Sequence, residues 1–195
     1  NFKITHVPTS KKENWFKMIL NSDNSNFKKN LYGLDKYFLD LIKLFDLGKL
    51  PKVLMLSGKK GQGKFTLTHH LMSYIFDKKN YDKNNLSINA ENKVYVNVKN
   101  NYHPGIIYYD CIDKNTKLDT IRKLRTDLQK TSINNSYRFI IFDDVECLNE
   151  NCINALLKTI EEPSDTNFFI LINNQSDKIL ETIKSRSIEI LIFLN

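Results

Sequence analysis

The chain is poor in cysteine, with Cys111, Cys147 and Cys152 among its 195 residues. These three form no CxxC pair and no zinc-ligand spacing, which argues against a disulfide framework or a cysteine-based metal site and fits a reducing, cytoplasmic setting. No run reaches the roughly 18 apolar residues that a membrane helix needs. The N-terminus also lacks the basic, apolar, small-residue order of a secretory signal. Neither membrane spanning nor secretion is expected. Internal repeats and low-complexity linkers are missing as well, so the length suits one α/β domain with a core of its own.

What is present is the composition of a folded protein, 41% hydrophobic, 26% charged and 11% aromatic. The formal net charge of +7 would suit a phosphate-rich partner, because neutralised phosphates release counterions. The lysines, however, are scattered and not gathered on one predicted face, which reads as a solvated surface.

Periodicity gives the elements. A short amphipathic helix is expected around Trp15, Phe16, Ile19 and Leu20, before the polar stretch Asn21 to Asn30. Apolar residues then recur at helical spacing from Leu34 to Leu47, through Phe38, Leu41, Ile42 and Phe45, and the helix should end near Gly48. Lys52 to Ser57 is a continuous apolar run between Pro51 and Gly58, the pattern of a strand buried on both faces. A helix from Lys64 to Phe76 follows the glycines. The polar stretch Asp77 to Asn101 reads as a loop with an edge strand at Val94 to Val98. Further strands are expected at Ile106 to Tyr109, Tyr137 to Phe142 and Phe168 to Ile172, with helices at Thr116 to Lys130, Asn149 to Glu162 and Ser176 to Lys184. Such alternation implies βαβ units, a mostly parallel sheet and ligands at the carboxyl ends of the strands. The chain starts at Asn1 without a Met and stops at Asn195, just after the strand-like run Ile188 to Leu194, and so reads as a fragment.

Gly58-Lys-Lys-Gly-Gln-Gly-Lys64 lies between a predicted strand and a predicted helix, the context of a phosphate-cradling P-loop. Gly58, Gly61 and Gly63 would let backbone N–H groups turn inward. The helix N-terminus would add partial positive charge, and Lys64 would reach the outer phosphates. The residue after the lysine is normally Ser or Thr, whose hydroxyl binds Mg²⁺, but here it is Phe65. Thr66 offers a hydroxyl one place later, rotated by about 100° around the helix and so expected to point elsewhere. The hydrophobic run Phe139-Ile-Ile-Phe142 ends in Asp143 and Asp144. Asp143 suits a metal-holding acid. Asp144 stands where a water-orienting acid would be, and an error of about 1 Å there can cost on the order of a hundredfold in rate. Hydrolysis at this chain's own site is expected to be weak or absent, with ATP or ADP and Mg²⁺ bound at low affinity at most.

Three more segments carry a family resemblance. Asn154-Ala-Leu-Leu-Lys-Thr-Ile-Glu-Glu-Pro163 resembles the N-A-L-L-K-x-L-E-E-P signature of clamp loaders, and Thr182-Ile-Lys-Ser-Arg-Ser187 resembles their S-R-C motif with Ser187 in place of Cys. Tyr102-His103-Pro104 is similar to the H-P-D passage of delta-prime subunits, with Gly105 replacing the Asp. The chain thus resembles bacterial DNA polymerase III clamp-loader subunits of the delta-prime type. The resemblance implies a P-loop AAA+ (RecA-like) three-layer α/β sandwich over residues 31–195, behind an N-terminal helical extension over 1–30. The family's lid and collar domains have no counterpart here.

The resemblance further implies a pentameric ring in which ATP lies between neighbouring subunits. Ser185 and Arg186 would form the arginine finger offered to the next subunit, and Asn174 would be the sensor residue. Expected partners are the gamma/tau and delta subunits and, through the complex, the sliding clamp and primed DNA. Some relatives carry a four-cysteine zinc module after the P-loop helix, but Asp77 to Asn101 holds no cysteine, so no zinc and no other resident metal is expected. An active gamma/tau-type ATPase is the alternative, and a non-catalytic P-loop scaffold or DNA-binding module is a third.

Overall fold

The computed structural model describes residues 28–99, 103–112, 118–129, 137–174 and 181–194. The helix expected around Trp15, Tyr102 of the H-P-D-like passage, and the first residues of the helices expected from Thr116 and Ser176 lie outside these.

Helix α1 runs from Asp35–Asp46 and strand β1 from Val53–Ser57, with helix α2 at Lys64–Phe76 behind the glycine loop. A two-stranded hairpin of β2 (Tyr81–Asp82) and β3 (Ser87–Ile88) leads into α3 (Lys93–Lys99). Then come β4 (Ile106–Asp110), α4 (Leu118–Gln129), β5 (Arg138–Asp143), α5 (Glu150–Ile160), β6 (Asn167–Asn173), the single turn α6 (Glu181–Lys184) and β7 (Ile188–Leu191).

The main sheet has the order β4-β5-β6-β1-β7, and every pairing in it is parallel. The apolar runs at β1, β5 and β6 become strands whose two faces are both covered. Leu54 and Leu56 of β1 join one core with Phe38 of α1 and Leu67 and Leu71 of α2. Val53 and Met55 join a second core with Ile121 and Leu124 of α4 and Leu156 of α5. Strands β5 and β6 alternate in the same way, which gives the expected three layers. The helix carrying the Asn154-to-Pro163 signature buries Ile153, Leu156, Leu157 and Ile160 and leaves Lys158, Glu161 and Glu162 exposed, as its spacing predicts.

The stretch expected to be an edge strand, Val94 to Val98, is instead part of helix α3. Its alternating valines favour a strand, but Asn92 overrides them. The fully buried Asn92 accepts the N–H of Val94 at 3.0 Å and of Tyr95 at 3.4 Å, which caps the helix. Its amide is anchored by donation to the carbonyls of Ser73, Asp77 and Asn80. The loop expected to precede it also contains a short 3-10 turn and the β2–β3 hairpin.

Candidate functional site

The carboxyl ends of β1, β5 and β6 converge on a cavity of about 410 Å³. Gly61, Gly63, Lys64, Thr66, Asp143, Asp144 and Asn174 all line it, as the parallel topology predicts. Phe65 and Thr66 both line its wall. Gly58 lies under the lysine and not on the wall. Ser185 and Arg186 are not part of this cavity.

The loop needs its glycines. Gly61 and Gly63 have φ of 88° and 75°, in the left-handed region. A Cβ on Gly58 would come within 2.5 Å of the Ile192 carbonyl oxygen, and one on Gly63 within 2.8 Å of Leu34 Cδ1. Gly63 caps α2 without a side chain, which leaves the first N–H groups of the helix for an anion. Lys64 is 3% exposed and donates from Nζ to the carbonyls of Gly58 and Lys59, each at 2.7 Å. Burial lowers its pKa, and the neighbouring carboxylates, Asp143 first, oppose that shift.

The acids at the end of β5 are tied into the chain. Asp143 Oδ2 accepts the Tyr108 hydroxyl at 2.9 Å, and its Oδ1 accepts the Asp144 N–H at 3.0 Å. Burial raises the Asp143 carboxyl to about 6, with the Tyr108 hydrogen bond pulling against that shift. Burial, followed by the charge on Asp143, holds the Tyr108 phenol well above its ordinary value, so it keeps its proton. Asp144 sits in a left-handed conformation (φ 53°). Its Oδ1 accepts Asn174 Nδ2 at 2.7 Å and lies 3.8 Å from Lys60 Nζ. The Asn174 N–H donates to Glu146 Oε1 at 3.2 Å.

Tyr108, Lys60 and Glu146 are members of this site that the sequence reading missed. For Tyr108 a signal existed. It pairs with Ile141 across β4 and β5, so its side chain shares a face with Asp143 two residues further along. Phe65 packs against that same face, edge-on to the Tyr108 ring, with centroids 5.8 Å apart at 83°.

The other predicted site is on the surface. Arg186 donates to Glu161 Oε1 from Nε at 3.1 Å, and its Nη2 lies 3.0 Å from the same oxygen. Its Nη1 donates to the Thr182 carbonyl at 3.0 Å and to Ser185 Oγ at 3.3 Å. Two of the three motifs that carry the family resemblance therefore meet, Glu161 from one and Arg186 from the other.

Comparison with known proteins gives a consistent result. The family model for "DNA polymerase III, delta subunit" matches residues 34–193. The chain is 29% identical over 163 residues to DNA polymerase III subunit gamma of Buchnera aphidicola subsp. Schizaphis graminum, covering 83% of this chain and 43% of that one. It is 27% identical over 156 residues to subunit delta' of the same organism, covering 78% and 46%. A solved gamma subunit-related protein of DNA polymerase III from Thermotoga maritima aligns with a TM-score of 0.56 at 17% identity, over 80% of this chain and 46% of that one. The fold is thus that of P-loop AAA+ proteins, and the chain spans less than half the length of these relatives. Among the described residues no helix is long and apolar enough to cross a membrane.

Proposed function

The chain belongs to the clamp-loader AAA+ family of DNA polymerase III subunits, and from that membership we propose that it is a delta-prime-like stator in DNA replication, offering Arg186 to ATP held by a neighbouring subunit. The carrying observation is the setting of Arg186. The guanidinium is exposed, lies outside the chain's own cavity, and is already oriented by Glu161, Ser185 and the Thr182 carbonyl. Charge that builds on γ-phosphate oxygens in the transition state is stabilised by such a guanidinium, an effect worth roughly 10³ to 10⁵ in rate. Its fork geometry lets it exchange a carboxylate for a phosphate without reorganising.

The chain's own site supports the stator role from the other side. Phe65 stands where the metal-binding hydroxyl belongs, and Asp144 is shorter than the usual glutamate. Gamma/tau and delta subunits are the proposed neighbours, and the sliding clamp and primed DNA the substrates of the assembled complex. The test is ATP turnover by a reconstituted clamp loader carrying Arg186→Ala. Turnover that does not change removes the arginine-finger role.

A second reading, an active gamma/tau-type ATPase, is favoured by Thr66 on the cavity wall and by the similarity to a gamma subunit. Steady Mg²⁺-dependent hydrolysis by the protein on its own would select it.

A further inference from the structure

Magnesium takes near-octahedral oxygen ligands and is held in nucleotide sites by one or two carboxylates together with the phosphates. The corner of this cavity that would receive it is already filled by the chain's own groups. Phe65 contributes a ring that has no oxygen, packed edge-on to Tyr108. Tyr108 places its hydroxyl on Asp143 Oδ2, while Asp143 Oδ1 holds the N–H of Asp144. Asp143 is 4% exposed and both of its oxygens already accept a hydrogen bond, so an incoming ion would meet a buried acid that the chain has already engaged. The residues present do not fit the metal.

They do fit a phosphate chain. The start of α2 is uncapped by any side chain, and Gly61 and Gly63 turn the loop's backbone as an anion cradle requires. The Lys64 ammonium has three N–H groups and uses two on the carbonyls of Gly58 and Lys59, which leaves one for an anion. Lys60 sits at the cavity rim with a largely exposed side chain, 3.8 Å from Asp144.

We propose that Tyr108 stands in for the divalent ion, holding Asp143 while Phe65 seals the corner, so that the cavity binds a nucleoside diphosphate with metal excluded and its charge met by Lys60 and Lys64. This makes the pocket a metal-independent phosphate site. It rests on the stator reading only in that both place Phe65 at the metal position.

ADP titrated calorimetrically into the full-length protein, once with EDTA and once with millimolar Mg²⁺, tests it. The expected result is binding in both, with Kd values agreeing within about twofold. The double variant Phe65→Thr/Tyr108→Phe restores a hydroxyl and releases Asp143. It should gain about tenfold in ADP affinity on adding Mg²⁺, equivalent to about 1.4 kcal/mol. Tyr108→Phe alone keeps the ring packing and should gain less, and its thermal melt reports whether the fold is kept. Wild-type affinity that rises tenfold or more with Mg²⁺ overturns the proposal, as does failure to bind ADP in either buffer. A folded double variant that stays indifferent to Mg²⁺ overturns the role given to Tyr108. None of these outcomes bears on Arg186, whose contribution is read in a neighbour's turnover.

Discussion

Lys64 and Arg186 are both cations in phosphate-directed motifs, and the chain treats them in opposite ways. Lys64 is buried and spends two N–H groups on the carbonyls of its own loop. Arg186 is exposed and rests side-on against an exposed carboxylate. A solvated ion pair is worth about 0 to 1 kcal/mol, so Arg186 can leave Glu161 for another anion at small cost. Burial ties Lys64 to its own chain, whereas exposure leaves Arg186 oriented and yet transferable.

The largest test of that contrast compares the two alanine variants in one assembled clamp loader. Arg186→Ala should lower ATP turnover by roughly 10³ or more, while Lys64→Ala should change it by less than about threefold. Steady-state hydrolysis is the measurement, and equal losses would erase the distinction.

Acid should attack the Lys64 region through its histidines. His69 and His70 lie on α2, and His103 packs 4.4 Å from the ring of Phe76 at the end of that helix. Burial lowers their pKa values to about 3, about 4 and about 4. Each is therefore neutral in the folded state at pH values where the unfolded chain is already protonated. The stability this provides is complete above about pH 6.5 and is lost as pH falls toward 4, on the order of 1.4 kcal/mol per histidine per pH unit. Thermal melts from pH 7 to 5 should show Tm falling, and hydrogen exchange should show α2 opening before α5.

A smaller effect is expected at the loop. Gly63→Ala meets both a left-handed φ and Leu34 Cδ1 at 2.8 Å, whereas Gly61→Ala has open space and meets only its φ of 88°. Gly63→Ala should cost about 1 to 3 kcal/mol and Gly61→Ala about 1 kcal/mol, read from denaturant melts. The smallest test is Glu161→Gln, which removes the charge that orients Arg186. Turnover in the assembled complex should fall about threefold with Tm unchanged, the scale of an exposed pair.

The sheet was legible in the sequence because strands buried on both faces must be apolar along their centres, as Val53 to Leu56, Phe139 to Phe142 and Phe168 to Ile172 are. Alternation alone misled at Val94 to Val98, where one buried asparagine outweighed the valines' strand preference. The glycine cradle and the two acids were legible from order along the chain. The Tyr108 hydroxyl on Asp143 was legible only in part, since alternation puts the two side chains on one face once the register of β4 against β5 is known, and that register is not written in either strand. The Arg186–Glu161 contact was not legible, because those residues are 25 apart and meet only after α5 and the turn of α6 have packed together.

The all-parallel sheet also sets a schedule for the chain as it leaves the ribosome. β1 is buried at every position, yet its partner β6 comes far later, with Ser57 and Asn173 separated by 116 residues. At roughly 5 to 20 residues per second, β1 waits about 6 to 23 s before its first neighbouring strand is synthesised. At first α1 and α2 can cover only the Leu54 and Leu56 face, and the Val53 and Met55 face waits for α4 and α5, which makes Val53–Ser57 a segment a nascent-chain chaperone has reason to shield.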